Sequence, residues 1–165
     1  MNNFSIYSNG KIYWISRSIA VVIFVFCKDK SGNEYILAVQ RGKGTPDPEY
    51  IGKYCVPCGY LDFNETIIEA ALRELKEETG LTFPASDLIL IGINDDPKKD
   101  KRQNVSFRYR INSIIFKEDL EKLLTSKNSE KDEVSDIKFI NINEINSYEW
   151  AFNHNELIKP IYYHV

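Results

Sequence analysis

The apolar segments in the first third of the chain, separated by polar turn residues, predict β-structure. Tyr13 to Lys28 is rich in Ile, Val and Phe and predicts a strand, which the turn residues 29–33 end. Glu34 to Gln40 predicts a second strand that returns from this turn, so the two form a hairpin. Residues 41–52 contain Gly, Pro and charge and are typical of a loop, after which Lys53 to Pro57 predicts a short strand.

The segment from Thr66 to Thr79 has the periodicity of an amphipathic helix. Its apolar residues are Ile68, Ala71, Leu72 and Leu75, which fall on one face of a helix. Thr66 and Glu69 have the spacing of a capping box, and Gly80 is placed to end the helix. This is the best-defined helix that the pattern predicts.

The rest of the chain predicts further strands and helices around a basic loop at 94–104. Strands are predicted at Leu88 to Ile93, Val105 to Phe116 and Ile137 to Ile142, and helical regions at Glu118 to Thr125 and Glu144 to Ile158. We expect Pro160 to stop the last helix. The pattern contains no repeat and no linker, so we predict one domain, residues 1–165, of the α+β class.

Composition and charge limit the possible functions. With 43% hydrophobic and 27% charged residues the chain has the balance of a soluble globular protein, and its net charge of -3 gives no positive field for nucleic acid. The longest apolar run, Ile19 to Cys27, is too short to span a bilayer, and no signal peptide is evident. Three cysteines (Cys27, Cys55 and Cys58) are too few for a disulfide scaffold. We therefore expect a cytoplasmic protein without membrane or nucleic-acid partners.

Three glutamates share one face of the predicted helix. At about 100° per residue, Glu74, Glu77 and Glu78 fall within an arc of about 100° beside the apolar arc. Like charges at these spacings cost roughly 0.2–0.5 kcal/mol per pair, and a divalent cation would reverse that cost. Carboxylates with water and phosphate oxygens suit Mg²⁺, for which Mn²⁺ can substitute. On these residues alone a solvated acidic face is the alternative.

The segment that contains this helix, GYLDFNETIIEAALRELKEETGL, resembles the Nudix box, G-x5-E-x7-R-E-U-x-E-E-x-G-U, where U is aliphatic. The matching positions are Gly59, Glu65, Arg73, Glu74, Leu75, Glu77, Glu78, Gly80 and Leu81. The resemblance implies the Nudix fold, an α/β/α sandwich with a mixed β-sheet on which the Nudix-box helix packs. It also implies hydrolysis of a diphosphate linkage in a nucleotide-like substrate.

The resemblance also implies roles for the residues of the motif. Glu74 and Glu78 match the principal metal ligands, with Glu77 beside them. Gly59 is expected to permit a tight turn that brings the backbone carbonyl of Cys58 towards the metal, although the family usually has glycine where this chain has Cys58.

Two further expectations concern the structural pair and the catalytic base. Glu65 and Arg73 match the pair that braces the loop against the helix. Glu133 lies in a polar stretch before the last strand, where Nudix proteins often carry a further glutamate. Glu74 and Glu133 are both candidates for the base that activates water, and Glu74 is preferred.

Two patches resemble a Nudix subgroup that hydrolyses or senses ADP-ribose. Residues 95–107 are similar to an R-D-P-R-G-x-x-V-S segment, and residues 150–154 to an A-F-D-H motif. In this interpretation Arg102 and Lys99 contact phosphate, as does Arg41, and His154 contacts ribose or phosphate. The alternative for Lys99 and Arg102 is a solvated loop, and the alternative for Arg41 is a solvated strand end. For His154 the alternative is a packed side chain without a ligand.

The favoured hypothesis is Mg²⁺-dependent hydrolysis of a nucleoside diphosphate linked to another group, with ADP-ribose preferred as substrate. A nucleoside triphosphate is the alternative substrate. An ADP-ribose sensor is a second possibility, but such regulators carry a DNA-binding domain that we do not expect here. A redox or zinc role for Cys55 and Cys58 is a third, although an extended segment would point these side chains to opposite faces. A homodimer is possible, as in other members of the family.

Overall fold

The computed structural model describes residues 4–99, 103–113, 115–124 and 132–164. Its strands are Phe4–Ser8 (β1), Lys11–Ile15 (β2), Ile19–Phe24 (β3), Phe26–Lys28 (β4), Glu34–Arg41 (β5), Tyr54–Cys55 (β6), Cys58–Tyr60 (β7), Leu88–Asn94 (β8), Val105–Ile111 (β9) and Val134–Asn141 (β10). Its α-helices are Ile67–Thr79 (α1), Lys117–Glu121 (α2) and His154–His164 (α3), with 3₁₀ turns at Pro48–Tyr50, Ala85–Asp87 and Ile142–Ser147.

The strands form two four-stranded sheets and a separate hairpin. One sheet has the order β7-β3-β9-β8, in which β3 and β9 are parallel and the other pairs antiparallel. The other has the order β10-β5-β4, with β6 also paired to β5, and is antiparallel throughout. The prediction of a mixed β-structure is confirmed.

The two sheets lie in one layer between helices. Alternate residues of β3 face opposite ways: Val21 packs in a core with α1, while Val22 packs in a core with α3. Strand β5 behaves in the same way, because Leu37 joins the α1 core and Ile36 the α3 core. The predicted α/β/α sandwich, with the motif helix on the sheet, is therefore confirmed.

Helix α1 has the predicted ends. Thr66 is the N-cap and makes a complete capping box with Glu69, and Gly80 closes the helix at φ 79°, a left-handed conformation that favours glycine. The prediction that Ile68 belongs to the buried face is wrong, since Ile68 is 41% exposed and Ala70 is buried instead. The buried face of α1 consists of Ala70, Ala71, Leu75, Glu78 and Thr79, so it includes one of the motif glutamates.

The prediction of one strand from Tyr13 to Lys28 is wrong, because that segment contains β2, β3 and β4. Strand β2 pairs with β1 in an exposed hairpin, and β3 and β4 belong to different sheets. The hairpin turns at Asn9 and Gly10, both at positive φ. Asn-Gly between apolar segments is a strong hairpin signal, which could have identified this element from the sequence.

The ends of other strands and helices also differ from those predicted. Strand β9 stops at Ile111 instead of reaching Phe116. The last helical region is divided into a 3₁₀ turn and α3, which continues through Pro160 to His164. The expectation that Pro160 stops the helix is wrong, because the proline is on the exposed face, where water can solvate the carbonyl that loses its partner. No helix among the described residues is both long and apolar enough to cross a membrane.

Candidate active site

The backbone of strand β7 presents polar groups at the open edge of its sheet. Hydrogen bonds from Ile23 to Pro57 and from Leu61 to Ile19 place Gly59 at a hydrogen-bonded pair with β3, and Cys58 and Tyr60 at the alternate positions. The Cys58 amide therefore points outwards and donates to Glu78 Oε2 at 3.0 Å. By the same alternation the Cys58 carbonyl also faces the open edge, on the side of the glutamates.

Gly59 allows helix α1 to lie close to this strand. It is an ordinary strand residue, so the expectation that it forms a tight turn is wrong. A Cβ at position 59 would instead lie 2.1–2.3 Å from the carboxyl atoms of Glu74. Glycine is needed here because the Glu74 carboxylate occupies the space of a side chain.

Glu78 is a buried carboxylate with too little compensating charge. Its side chain is 7% exposed, and the Arg41 guanidinium lies 3.8 Å from Oε1. Burial, with the neighbouring Cys58 thiol and Glu74, raises the pKa of Glu78 well above its usual value. Arg41 is itself buried and donates to Thr45 Oγ1, so the solvated strand end considered for it is wrong.

Arg73 connects the loop before α1 with the acidic face of the helix. It makes two hydrogen bonds to the Glu65 carboxylate, at 2.7 and 3.0 Å, and donates to the carbonyl of Tyr60 at 2.9 Å. It also contacts Glu74 at 2.9 Å and Glu77 at 3.0 Å. The hydrogen bonds from Arg73 lower the pKa of Glu65.

Replacing Glu65 by Gln is expected to destabilise the fold by roughly 1–3 kcal/mol, because a charged bidentate partner of Arg73 is lost. The free energy of unfolding from urea denaturation measures this loss. Asp62→Asn is the matched control: Asp62 is 74% exposed and 3.8 Å from Arg73, and we expect less than about 0.5 kcal/mol. Equal effects of the two substitutions would contradict a bracing role for Glu65.

The three motif glutamates occupy different environments. Glu74 is 14% exposed, and burial raises its pKa, against the effect of Arg73. Glu77 is 55% exposed and binds Arg73. The simple picture of three carboxylates at one point is wrong: within the described ranges, no three His, Cys, Asp or Glu side chains are grouped closely enough to hold a metal ion.

Glu133 directly precedes β10 and lines the same cleft as Glu74. The Gly42 amide donates to the Glu133 carbonyl at 2.7 Å, and a Cβ on Gly42 would lie 2.1 Å from the Asp132 carbonyl oxygen. The charge of Glu133 contributes to the raised pKa of Glu74, so the two carboxylates are near each other. Sequence analysis did not identify Gly42, which makes this close approach possible.

His154 begins helix α3 and is 4% exposed. Its Nδ1 accepts the Val56 amide at 3.2 Å, and its ring lies 5.3 Å from the Phe152 ring. Burial, together with the charges of Arg108 and Arg41, lowers the pKa of His154 to about 3. The residue is therefore a packed, neutral histidine that can offer Nε2–H to a ligand but no charge.

The two cysteines of the C-x-x-C segment face each other. Strands β6 and β7 are separated at residues 56–57, so the expectation that an extended segment keeps the side chains apart is wrong. A hydrogen bond between the thiols, with burial, raises the pKa of Cys58. Both are free thiols, and the raised pKa of Cys58 makes that thiol a poor nucleophile and a poor ligand for soft metals.

The basic loop lies at one end of the site. Lys98 and Lys99 line the cleft and belong to a turn that Asp96 stabilises through both amides. Arg102 lies outside the described residues. Arg17, which sequence analysis did not identify, ties down both ends of the loop by donating to the carbonyls of residues 95, 103 and 104.

These groups share one open cleft of about 1960 Å³. Its lining includes Ala20, Val22, Arg41, Cys58, Gly59, Tyr60, Glu74, Glu77, Glu78, Lys99, Asn104, Ser106, Arg108, Glu133, Phe152 and His154. Helix α1 supplies Glu74, Glu77 and Glu78, while the cations Arg41 and Arg108 come from the sheet and Lys99 from the basic loop. Carboxylates beside cationic groups can bind a metal ion when phosphate oxygens of a ligand and water complete its coordination.

Comparison with known proteins identifies the family of the chain. Residues 16–161 match the NUDIX domain family, and the chain belongs to that family. An ADP-ribose pyrophosphatase of Methanocaldococcus jannaschii is 32% identical over 124 residues, which are 75% of this chain and 63% of that protein. The match thus spans less than two thirds of the relative's length.

Solved structures share the fold. The NUDIX domain of Shewanella oneidensis NrtR, complexed with ADP ribose, has a TM-score of 0.70 and 20% identity, with 90% of this chain and 88% of that chain covered. A mutT/nudix family protein from Listeria innocua has a TM-score of 0.61 and 28% identity, with coverage of 88% and 91%.

Proposed function

We propose that the protein is a Mg²⁺-dependent Nudix pyrophosphohydrolase that cleaves the diphosphate linkage of a nucleoside diphosphate joined to another group, with ADP-ribose as the favoured substrate. The observation that carries the proposal is the arrangement of Glu74 and Glu78 around the open edge of β7, at the rim of a cleft with a cationic wall. The similarity to the archaeal ADP-ribose pyrophosphatase supports the choice of substrate.

The donor set fits a hard divalent cation. The Glu74 and Glu78 carboxylates and the Cys58 carbonyl are all oxygen donors, and both carboxylates are raised in pKa by burial, which a nearby cation would reverse. Magnesium commonly takes one or two carboxylates and completes its shell with water and substrate phosphate. A bound Mg²⁺ would neutralise phosphate charge and lower the pKa of a bound water.

In the proposed reaction the oxygen of water forms a bond to one phosphorus, and the bond from that phosphorus to the bridging oxygen breaks. With ADP-ribose the products are AMP and ribose 5-phosphate. Glu74 is our preferred acceptor of the water proton, because its carboxylate lines the cleft beside the proposed metal site. Glu133 is the second candidate and lies near enough to affect Glu74.

Other cleft residues are assigned to positioning. Arg41 holds Glu78 from the side opposite the Cys58 amide, and Arg73 keeps Glu74 against Gly59. Lys99, and Arg102 from the same loop, are proposed to contact phosphate, and His154 to donate from Nε2. A cytoplasmic location remains part of the proposal and is consistent with the free thiols.

Incubation of the purified protein with Mg²⁺ and a substrate panel tests the proposal. The panel contains ADP-ribose, other nucleoside diphosphate sugars and the nucleoside triphosphates, and products are separated by ion-exchange chromatography. We expect AMP and ribose 5-phosphate from ADP-ribose, with no product when Mg²⁺ is chelated. Faster turnover of a triphosphate would shift the assignment to the alternative substrate, and binding of ADP-ribose without any product would favour a sensor.

A further inference from the structure

Arg108 lies in the floor of the cleft, on the face of the sheet opposite to α1. The strand register aligns Cys58, Val22 and Arg108 in one row across β7, β3 and β9, so their side chains point to the same face. Val22 belongs to the core packed against α3, which fixes that face. Two strand spacings, about 10 Å, separate the backbones of Cys58 and Arg108.

One nitrogen of the Arg108 guanidinium has no partner in the protein. Its Nε is buried and has no hydrogen-bond partner, although the side chain as a whole is half-buried, and no ion pair links it to a carboxylate among the residues that the structure describes. Burial lowers the pKa of Arg108. Buried polar groups are nearly always paired, so a ligand that accepts a hydrogen bond from Nε would satisfy a donor that the protein leaves unpaired.

The surroundings of Arg108 indicate which kind of ligand is missing. His154, neutral and positioned by the Val56 amide, lies close enough for the charge of Arg108 to lower its pKa. Ser106 precedes Arg108 by two residues on the same face, and both line the cleft. This wall offers hydrogen-bond donors and positive charge, which suits phosphate oxygens.

We propose that Arg108 binds the diphosphate group of the substrate from the α3 side, facing the glutamates that reach the strand edge from α1. The inference rests on the proposed function and deepens it. It assigns a substrate-binding residue in the middle of β9, on the face that also carries Ser106. Held between Arg108 and the metal-binding carboxylates, a diphosphate would be fixed at both ends before water attacks.

Isothermal titration with inorganic pyrophosphate in the presence of Mg²⁺ tests Arg108 directly. In Arg108→Met we expect the dissociation constant to rise roughly 10- to 100-fold, the range for loss of a charge-assisted hydrogen-bonding group. The KM for ADP-ribose should rise similarly, with kcat changed less than about threefold. Arg108→Lys should recover part of the affinity, because it keeps the charge without the bidentate geometry.

Stability gives a second and independent measurement. Because Met removes a half-buried guanidinium whose buried Nε has no partner, and keeps the apolar stem, the melting temperature of Arg108→Met without ligand is expected to stay equal or rise. The matched control is Arg110→Met: Arg110 is on the same strand and face but does not line the cleft. Its substitution should leave pyrophosphate affinity unchanged.

The outcomes separate this inference from the proposed function. Unchanged pyrophosphate affinity in Arg108→Met, an equal loss in Arg110→Met, or a variant that fails to fold would overturn the role of Arg108. None of these results would contradict the proposed activity, because that activity is measured as turnover of ADP-ribose by the unaltered protein. Conversely, Arg108-dependent pyrophosphate binding without ADP-ribose hydrolysis would support the inference and refute the proposed activity.

Discussion

Glu74→Gln and Glu78→Gln are each expected to lower kcat with ADP-ribose by at least roughly a hundredfold, because each removes a charge that metal binding requires. The fold should survive both changes. Glu78 is buried with a raised pKa, so its charged form is disfavoured, and an amide of the same shape relieves that cost. Melting temperatures measured with a chelator should therefore stay equal or rise.

Two substitutions serve as controls for this expectation. Glu77→Gln should cost less than about tenfold, because Glu77 is largely exposed and is bound to Arg73 in the structure. Glu144→Gln removes an exposed carboxylate outside the cleft and should have no effect on turnover. Near-normal activity of both Glu74→Gln and Glu78→Gln at saturating Mg²⁺ would show that the metal site has been assigned wrongly.

Gly59→Ala is expected to reduce kcat by roughly tenfold or more, although it adds one methyl group. That methyl would lie 2.1 Å from the Glu74 carboxyl carbon, so either the carboxylate or the whole helix must move. An ångström-scale displacement of a catalytic group can cost about a hundredfold in rate. Steady-state kinetics measures the loss.

A glycine at the opposite edge of the same sheet provides the control for Gly59→Ala. Gly92 is also a strand residue of this sheet, and a Cβ there meets nothing within 4 Å, so Gly92→Ala should leave activity intact. Shortening Glu74 to Asp in the Gly59→Ala background should restore melting temperature without restoring turnover. Full activity of Gly59→Ala would show that the Glu74 carboxylate is not needed at this position.

The periodicity and end signals of α1 were sufficient to predict that helix from local sequence. The capping box of Thr66 and Glu69 and the left-handed Gly80 depend on contacts within a few residues, and these are encoded locally. The Nudix-box resemblance supplied the family from residue types alone. The apolar strands were located for the same reason, with errors mainly at their ends.

The sequence could not divide the segment from Tyr13 to Lys28 into its three strands. The apolar run from residue 19 to residue 27 has no internal break, while the assignment of β3 and β4 to different sheets depends on which strands pair with them. The prediction that Pro160 stops the last helix was wrong for a related reason. Whether a proline ends a helix depends on which face it occupies, and packing against the sheet determines that face.

The sequence by itself determined the family, the capped motif helix and the acids that it carries, because these follow from spacing over a few residues. Only the tertiary structure showed that Gly59 makes room for the Glu74 carboxylate, that Glu78 is buried against the Cys58 amide, and that the Nε of Arg108 is buried without a partner. Each of these depends on contacts between segments far apart in sequence. Burial and electrostatic compensation come from the whole environment of a side chain, which no local pattern contains.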